Sequence, residues 1–175
     1  MIVNERVVAY INSLDCGNSD ICNTIEKEAI ADEVPIIRKE MGNLLKVLLQ
    51  LVQPERILEV GTAVGYSSIL MSENMPEKCT ITTIENYDKR AGKENVITLI
   101  EGDALEVLKT LEGPYDFIFM DAAKGQYINY LPDIKRVLRK GGLLISDNIL
   151  QEGELVESRY AVTRRNRTIH TRIRE

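Results

Sequence analysis

After Pro54 the period of the chain changes. Short β-rich runs, RILEV (56–60), TITTIE (80–85), VITLIE (96–101), FIFMD (117–121) and LLISD (143–147), alternate with longer amphipathic stretches. Strand, helix, strand repeated in this way predicts a parallel sheet with helices on both faces, because parallel neighbours need a crossover that returns over one face. Before Pro54 the period is helical. Val7, Val8, Ile11 and Leu14 form one stripe over residues 4–14, and Ile37, Met41, Leu44, Leu45, Leu48 and Val52 form another over residues 36–52. Between them DCGNSD predicts a loop and a helix cap at Ser19 or Asp20.

The expected architecture is therefore α/β: a doubly wound, mostly parallel sheet preceded by extra helices. A chain of 175 residues with 44% hydrophobic content fills one domain with a sizeable core. That domain is expected over 1–175, with helices in 1–52 and the α/β core in 53–175. Two places depart from the pattern. Only ten residues separate the runs ending at Glu85 and beginning at Val96, where a parallel crossover needs a dozen or more. The residues given also stop at Glu175 inside an Arg-rich helical segment, with no strand to close the sheet edge. Missing residues are expected in both places.

The net charge is −5, which argues against general adhesion to nucleic acid or anionic membrane. The distribution is uneven: residues 154–175 hold six arginines against three glutamates, a local +3. No apolar run reaches the eighteen residues of a spanning helix, and the charged, amphipathic N-terminus is unlike a signal peptide, so a cytoplasmic protein without a membrane partner is expected. Cys16, Cys22 and Cys79 are odd in number and far from the sole histidine, His170; reduced, structural thiols are expected rather than a disulfide framework or zinc site.

Ligands of open α/β sheets sit beyond the carboxyl ends of the strands. Each strand here closes on an acid: Glu59 before Gly61, Glu85, Glu101 with Asp103, Asp121, and Asp147 with Asn148. Single acids often cap the following helix, but five closing apolar strands point to a site, since buried carboxylates are costly unless paired or bound to a cation. In EVGTAVGYSS, Gly61 and Gly65 allow close backbone approach to a ligand. Ala63 stands where a dinucleotide fingerprint needs glycine, and no phosphate loop occurs. A nucleoside without pyrophosphate suits such a loop better than a nicotinamide cofactor, with Glu85 placed for a ribose diol. Asp121, Asp147 and Asn148 offer oxygen donors only, the pattern of a hard cation such as Mg²⁺. Lys124 lies close enough in sequence to reach the same space and act as a base.

The motifs VPIIRKEMGNLL, ILEVGTAVGYSS, TIENYDK, EGDAL, FIFMDAAKGQY and GGLLISDNIL, in this order, closely resemble the bacterial cation-dependent O-methyltransferases that use S-adenosylmethionine, the catechol and caffeoyl-CoA type. Within that family the nearest likeness is to enzymes that methylate 5-hydroxyuridine at the tRNA wobble position. The resemblance implies a Rossmann-like class I methyltransferase fold, S-adenosylmethionine and a divalent cation as cofactors, and a homodimer. It implies cofactor contacts at Ile37, Glu59, Gly61, Gly65, Ser67, Glu85, Asp103, Ala104 and Asp121. Asp121, Asp147 and Asn148 become the implied metal ligands, with Lys124 and Asp121 catalytic. It also implies a helix where this chain has DKRAG and a closing antiparallel hairpin after the Arg-rich segment; neither has a counterpart in the residues given.

The expected function is cation-dependent methyl transfer to a hydroxyl beside a second oxygen, on tRNA 5-hydroxyuridine in the anticodon region. The same chemistry on a small vicinal diol such as a catechol, and an inactive cofactor-binding module, are the alternatives. The metal set cannot choose between catechol and hydroxyuracil, because both present two adjacent oxygens. The arginines of SRYAVTRRNRTIHTRIRE favour a phosphate-bearing substrate, and Tyr160 is a candidate to stack a base.

Overall fold

Helix α1 (Glu5–Ser13) starts where the Asn4 side chain accepts the Arg6 amide, and α2 (Asp20–Ala31) where Ser19 accepts the Cys22 amide. Of the two expected caps, Ser19 takes the position. Asp20 falls in the first turn, where its charge suits the helix dipole. The Ser19 hydroxyl also donates to Glu73 Oε1 at 2.8 Å, tying this corner to the helix that follows the first strand. Helix α3 (Lys39–Val52) begins three residues later than its apolar stripe, because Arg38 is still extended (φ −69°, ψ 156°). The computed structural model describes residues 4–85, 95–158, 160–162 and 166–174.

The α/β portion runs β1 (Arg56–Val60), α4 (Tyr66–Asn74), β2 (Thr80–Glu85), β3 (Ile97–Glu101), α5 (Ala104–Thr110), β4 (Tyr115–Met120), α6 (Tyr127–Val137), β5 (Leu138–Ser146) and α7 (Arg167–Arg174). The strands form one sheet in the order β3-β2-β1-β4-β5, and every neighbouring pair is parallel. This is the doubly wound parallel sheet expected from the alternation, and the Rossmann-like fold that the resemblance implies. β1 and β4 sit centrally and are apolar on both faces, as strands covered twice must be. On one face Ile57, Ile81, Phe117 and Phe119 pack against Leu45 and Leu49 of α3 and Ile69 and Leu70 of α4. On the other, Leu58, Val60, Ile118 and Met120 pack against Leu108 of α5 and Tyr127, Tyr130 and Ile134 of α6.

Two strands begin well before the runs that mark them in the sequence. β4 begins at Tyr115 rather than Phe117, and β5 at Leu138 rather than Leu143, directly after α6. Leu138 pairs with Tyr115, then the register shifts before Phe117 meets Leu143. The irregularity absorbs Gly141, whose φ is +81°. The RKGG stretch reads as a turn because its charges and glycines hide this pairing. The short crossover also resolves differently: β2 and β3 pair in parallel from Ile81–Ile97 to Glu85–Glu101. The eleven-residue connection is therefore compatible with parallel pairing, although its residues 86–94 lie outside the described residues. No disulfide joins the cysteines, of which Cys22 and Cys79 are buried and Cys16 is exposed. Among the described residues no helix is long and apolar enough to cross a membrane.

Candidate active site

The residue just past β1, β3, β4 and β5 continues the hydrogen-bond ladder, which fixes where those loops leave the sheet. The amide of Gly61 donates to Ile84 O, Gly102 to Glu85 O, Asp121 to Val60 O and Asp147 to Met120 O, all at 2.9–3.0 Å. Gly61, Asp121 and Asp147 are thereby brought to one sheet edge. Gly61 has φ +89°, and a Cβ built on it would lie 2.5 Å from the Asp121 carbonyl oxygen. Only glycine lets these two strand ends approach so closely.

Two cavities open on this edge. The larger, ≈ 510 Å³, is lined by Glu85, Asp103, Ala104, Gln126 and Tyr130 among others. The smaller, ≈ 350 Å³, is lined by Ile37, Ser67, Lys124, Asp147 and Asn148 among others. Gly61, Ala63, Asp121 and Ala122 line both. In the larger cavity Glu85 Oε2 accepts the amides of Thr62 (3.1 Å) and Ala63 (2.7 Å). The end of β2 thus clamps the glycine loop, holding Ala63 at φ +47°. Asp103 caps α5 through the Leu105 amide at 2.8 Å.

In the smaller cavity Lys124 Nζ donates to Asp121 Oδ1 and stands 5.4 Å from the centroid of the Tyr127 ring. Burial, and next the negative charge of Asp121, push the Asp147 carboxyl above its ordinary range; Lys124 and Arg38 act in the opposite direction. Asn148 is left-handed (φ +51°), a conformation asparagine tolerates. Two carboxylates and a carboxamide share one cleft. Among the described residues no cluster of three His, Cys, Asp or Glu occurs. A donor set of oxygens fits a hard divalent cation, which would relieve the repulsion between the acids.

Two expected site residues line neither cavity. Glu59 is fully buried and accepts hydrogen bonds from the hydroxyls of Ser67, Ser68 and Thr83, so it lies behind the glycine loop. Gly65 is the left-handed N-cap of α4. Burial pushes the Glu59 carboxyl above its ordinary range, with the hydroxyls of Ser67, Ser68, Thr83 and Thr62 opposing. A carboxyl whose pKa is raised by folding holds its proton more tightly in the native state. Stability relative to a Glu59→Gln variant is therefore greatest below the unfolded carboxylate value and falls as pH rises through the folded one. Urea midpoints of the two proteins measured from pH 4 to 8 are expected to show wild type losing ground with rising pH; parallel curves would contradict the assignment.

The sequence reading missed three tyrosines. Tyr66 lines the smaller cavity, and its hydroxyl accepts from Asn18 Nδ2 at 3.1 Å. Its pKa is pushed up to about 12 by burial first and by the charge of Glu26 next. Tyr130 lines the larger cavity, and Tyr127 lies beneath both strand ends. In sequence they read as core aromatics; the one signal for the last two is their position in the first helical turn after a strand that closes on an acid.

Among known proteins, the O-methyltransferase family model matches residues 18–174. A catechol O-methyltransferase of Niastella koreensis is 33% identical over 170 residues, covering 87% of this chain and 76% of that enzyme. A caffeoyl-CoA O-methyltransferase of Stellaria longipes is 34% identical over 128 residues, covering 64% of this chain and 53% of that enzyme. The chain thus spans about half the length of that plant relative. The SAH-bound methyltransferase of Podospora anserina superposes with a TM-score of 0.85 at 25% identity, over 97% of this chain and 82% of that one. The SAM complex of the O-methyltransferase TomG from Streptomyces achromogenes gives 0.81 at 26%, over 99% and 84%. With its sheet order, its glycine loop and a family match over most of its length, the chain belongs to the O-methyltransferase family.

Proposed function

We propose that the protein transfers a methyl group from S-adenosylmethionine to a hydroxyl oxygen beside a second oxygen, aided by a divalent cation, and that its substrate is 5-hydroxyuridine at the tRNA wobble position. One observation carries the reading: Asp121 lines both cavities, so a cofactor whose nucleoside fills the larger one and whose other end reaches past Asp121 toward Ile37 and Ser67 meets a substrate in the smaller one. S-adenosylmethionine, when bound, supplies a methyl group on a sulfonium. Asp121, Asp147 and Asn148 would hold the cation, Mg²⁺ or another, which supplies chelation of vicinal oxygens and a more acidic hydroxyl.

The chain's own residues do the rest. Glu85 is a carboxylate acceptor for ribose hydroxyls, with Asp103 and Ala104 beside the base. Ile36 and Ile37 give the smaller cavity an apolar wall that limits water. Lys124, released from its ion pair with Asp121 where that carboxylate turns to a cation, would receive the substrate proton. Holding the reacting atoms in line at ~3–3.5 Å supplies much of the rate.

The tRNA reading is supported by the place of the basic segment. The Arg172 guanidinium donates to Gly125 O at 2.8 Å, so α7 packs on the turn that carries Lys124. Tyr160 is 87% exposed and open to stacking. Arg172 and Arg167 each donate to a backbone carbonyl, which leaves phosphate contacts to Arg174 and to Arg159, Arg164 and Arg165, the last three outside the described residues. A second reading, a small catechol-type substrate, is favoured by the activities named for the relatives. The proposal includes a cytoplasmic homodimer, joined through the N-terminal helices, on which Tyr10, Leu14 and Leu51 are 65%, 62% and 75% exposed.

Labelled methyl transfer to hydroxyuridine-containing tRNA and to a catechol, each with Mg²⁺ or chelator, tests the proposal. Metal-dependent methylation of the tRNA is expected. Methylation of the catechol alone would overturn the substrate, and cofactor binding without transfer to either would favour an inactive binding module.

A further inference from the structure

Tyr127 belongs to no ligand set, yet it touches everything that fixes one. It is the first residue of α6 and only 6% exposed. Its hydroxyl donates to Met120 O at 3.0 Å and stands 3.4 Å from Asp147 O. Met120 O also accepts the Asp147 amide at 2.9 Å. Met120 pairs with Ser146 as the last step of the β4–β5 register, so Asp121 and Asp147 are the next residue on each strand. The same ring lies 5.4 Å from Lys124 Nζ, which in turn pairs with Asp121.

Resting on the cation site proposed above, we infer that Tyr127 is a positioning residue that sets the spacing of Asp121 and Asp147 through the Met120 carbonyl. Without the hydroxyl, Met120 O keeps its bond to the Asp147 amide, so the sheet persists while the alignment of the two acids loosens. Groups that orient ligands in this way change metal affinity more than they change the fold.

The test uses the full chain, with Mn²⁺ as the probe, read by electron paramagnetic resonance. Tyr127→Phe is expected to weaken Mn²⁺ binding ~10-fold, to raise the metal concentration for half-maximal turnover in parallel, and to leave S-adenosylmethionine affinity within about twofold. Tyr115→Phe is the comparator. This buried tyrosine starts the same strand at its far end and donates to Thr82 Oγ1 at 3.3 Å; its loss is expected to leave Mn²⁺ binding unchanged. Equal Mn²⁺ affinity in wild type and Tyr127→Phe, or equal weakening by both substitutions, would overturn the inference while leaving the cation site standing. A wild type that binds no Mn²⁺ would remove the cation site and the inference with it. A second measurement does not depend on the variant folding: in wild type labelled with 3-fluorotyrosine, the ¹⁹F resonance of Tyr127 is expected to move on Mg²⁺ addition while that of Tyr115 stays. A Tyr127 resonance that does not move counts against the role.

Discussion

Asp147→Ala is expected to reduce kcat/KM by ~10³-fold or more, a loss of ~4 kcal/mol in transition-state stabilisation, while S-adenosylmethionine affinity stays within about threefold. The split follows from the cavities. Asp147 lines only the smaller one, whereas Glu85, Asp103 and Ala104 line the larger. The fold should not suffer, because the substitution removes a carboxylate that burial and Asp121 already disfavour in its charged form. An unchanged or slightly raised thermal midpoint is therefore expected alongside the lost turnover. Isothermal titration with cofactor, melting curves and methyl-transfer rates over a Mg²⁺ series check the three parts. Substantial residual turnover, or turnover by wild type in chelator, would contradict the role given to this acid.

Gly61→Ala is expected to damage both fold and cofactor binding. Its φ of +89° is unfavourable for an L-residue, and the new methyl would meet Asp121 O at 2.5 Å and Ala122 Cα at 3.0 Å. Those atoms are backbone held by the β1–β4 ladder, so they can yield only by parting the strands. Conformational strain of ~1–2 kcal/mol and overpacking of ~1–3 kcal/mol together predict a loss of ~3 kcal/mol or more. Gly17 isolates the second contribution, since its φ is +83° but a Cβ there meets nothing within 4 Å. Gly17→Ala should therefore cost only the conformational part, ~1–2 kcal/mol. Urea unfolding of both variants and cofactor titration of Gly61→Ala supply the comparison; equal destabilisation by the two would show that the close approach of the strands is not what requires glycine.

Much of this arrangement was legible in the sequence, for identifiable reasons. β1 and β2 match their apolar runs residue for residue, because a strand buried against helices has little choice of composition. The site acids stood out as polar residues closing such runs. Position along the strand then separated them. Glu59 is the last but one residue of β1 and pairs with Thr83 and Phe119, so its side chain enters the α4 layer and is satisfied by hydroxyls. Asp121 and Asp147, one residue past their strands, reach the cleft. The start of β5 was hidden because Arg139, Lys140 and two glycines carry no strand period, and only pairing with Tyr115 identifies it. Tyr127 and Tyr130 have rings in the core and nothing in sequence sets them apart; what distinguishes Tyr127 is a hydroxyl bonded to the carbonyl that ends β4.

The sequence by itself determined the parallel sheet, its covering helices and the carboxylates at its carboxyl edge, because period and burial are local properties written in residue type. Tertiary structure alone decided that Asp121 is shared by two cavities, that Glu59 supports the glycine loop from behind, and that Arg167 and Arg172 are bound to backbone carbonyls. Each of these depends on which strand end lies beside which. The sheet order β3-β2-β1-β4-β5 places Asp121 between the end of β1 and the end of β5, and that adjacency arises from packing rather than from spacing along the chain.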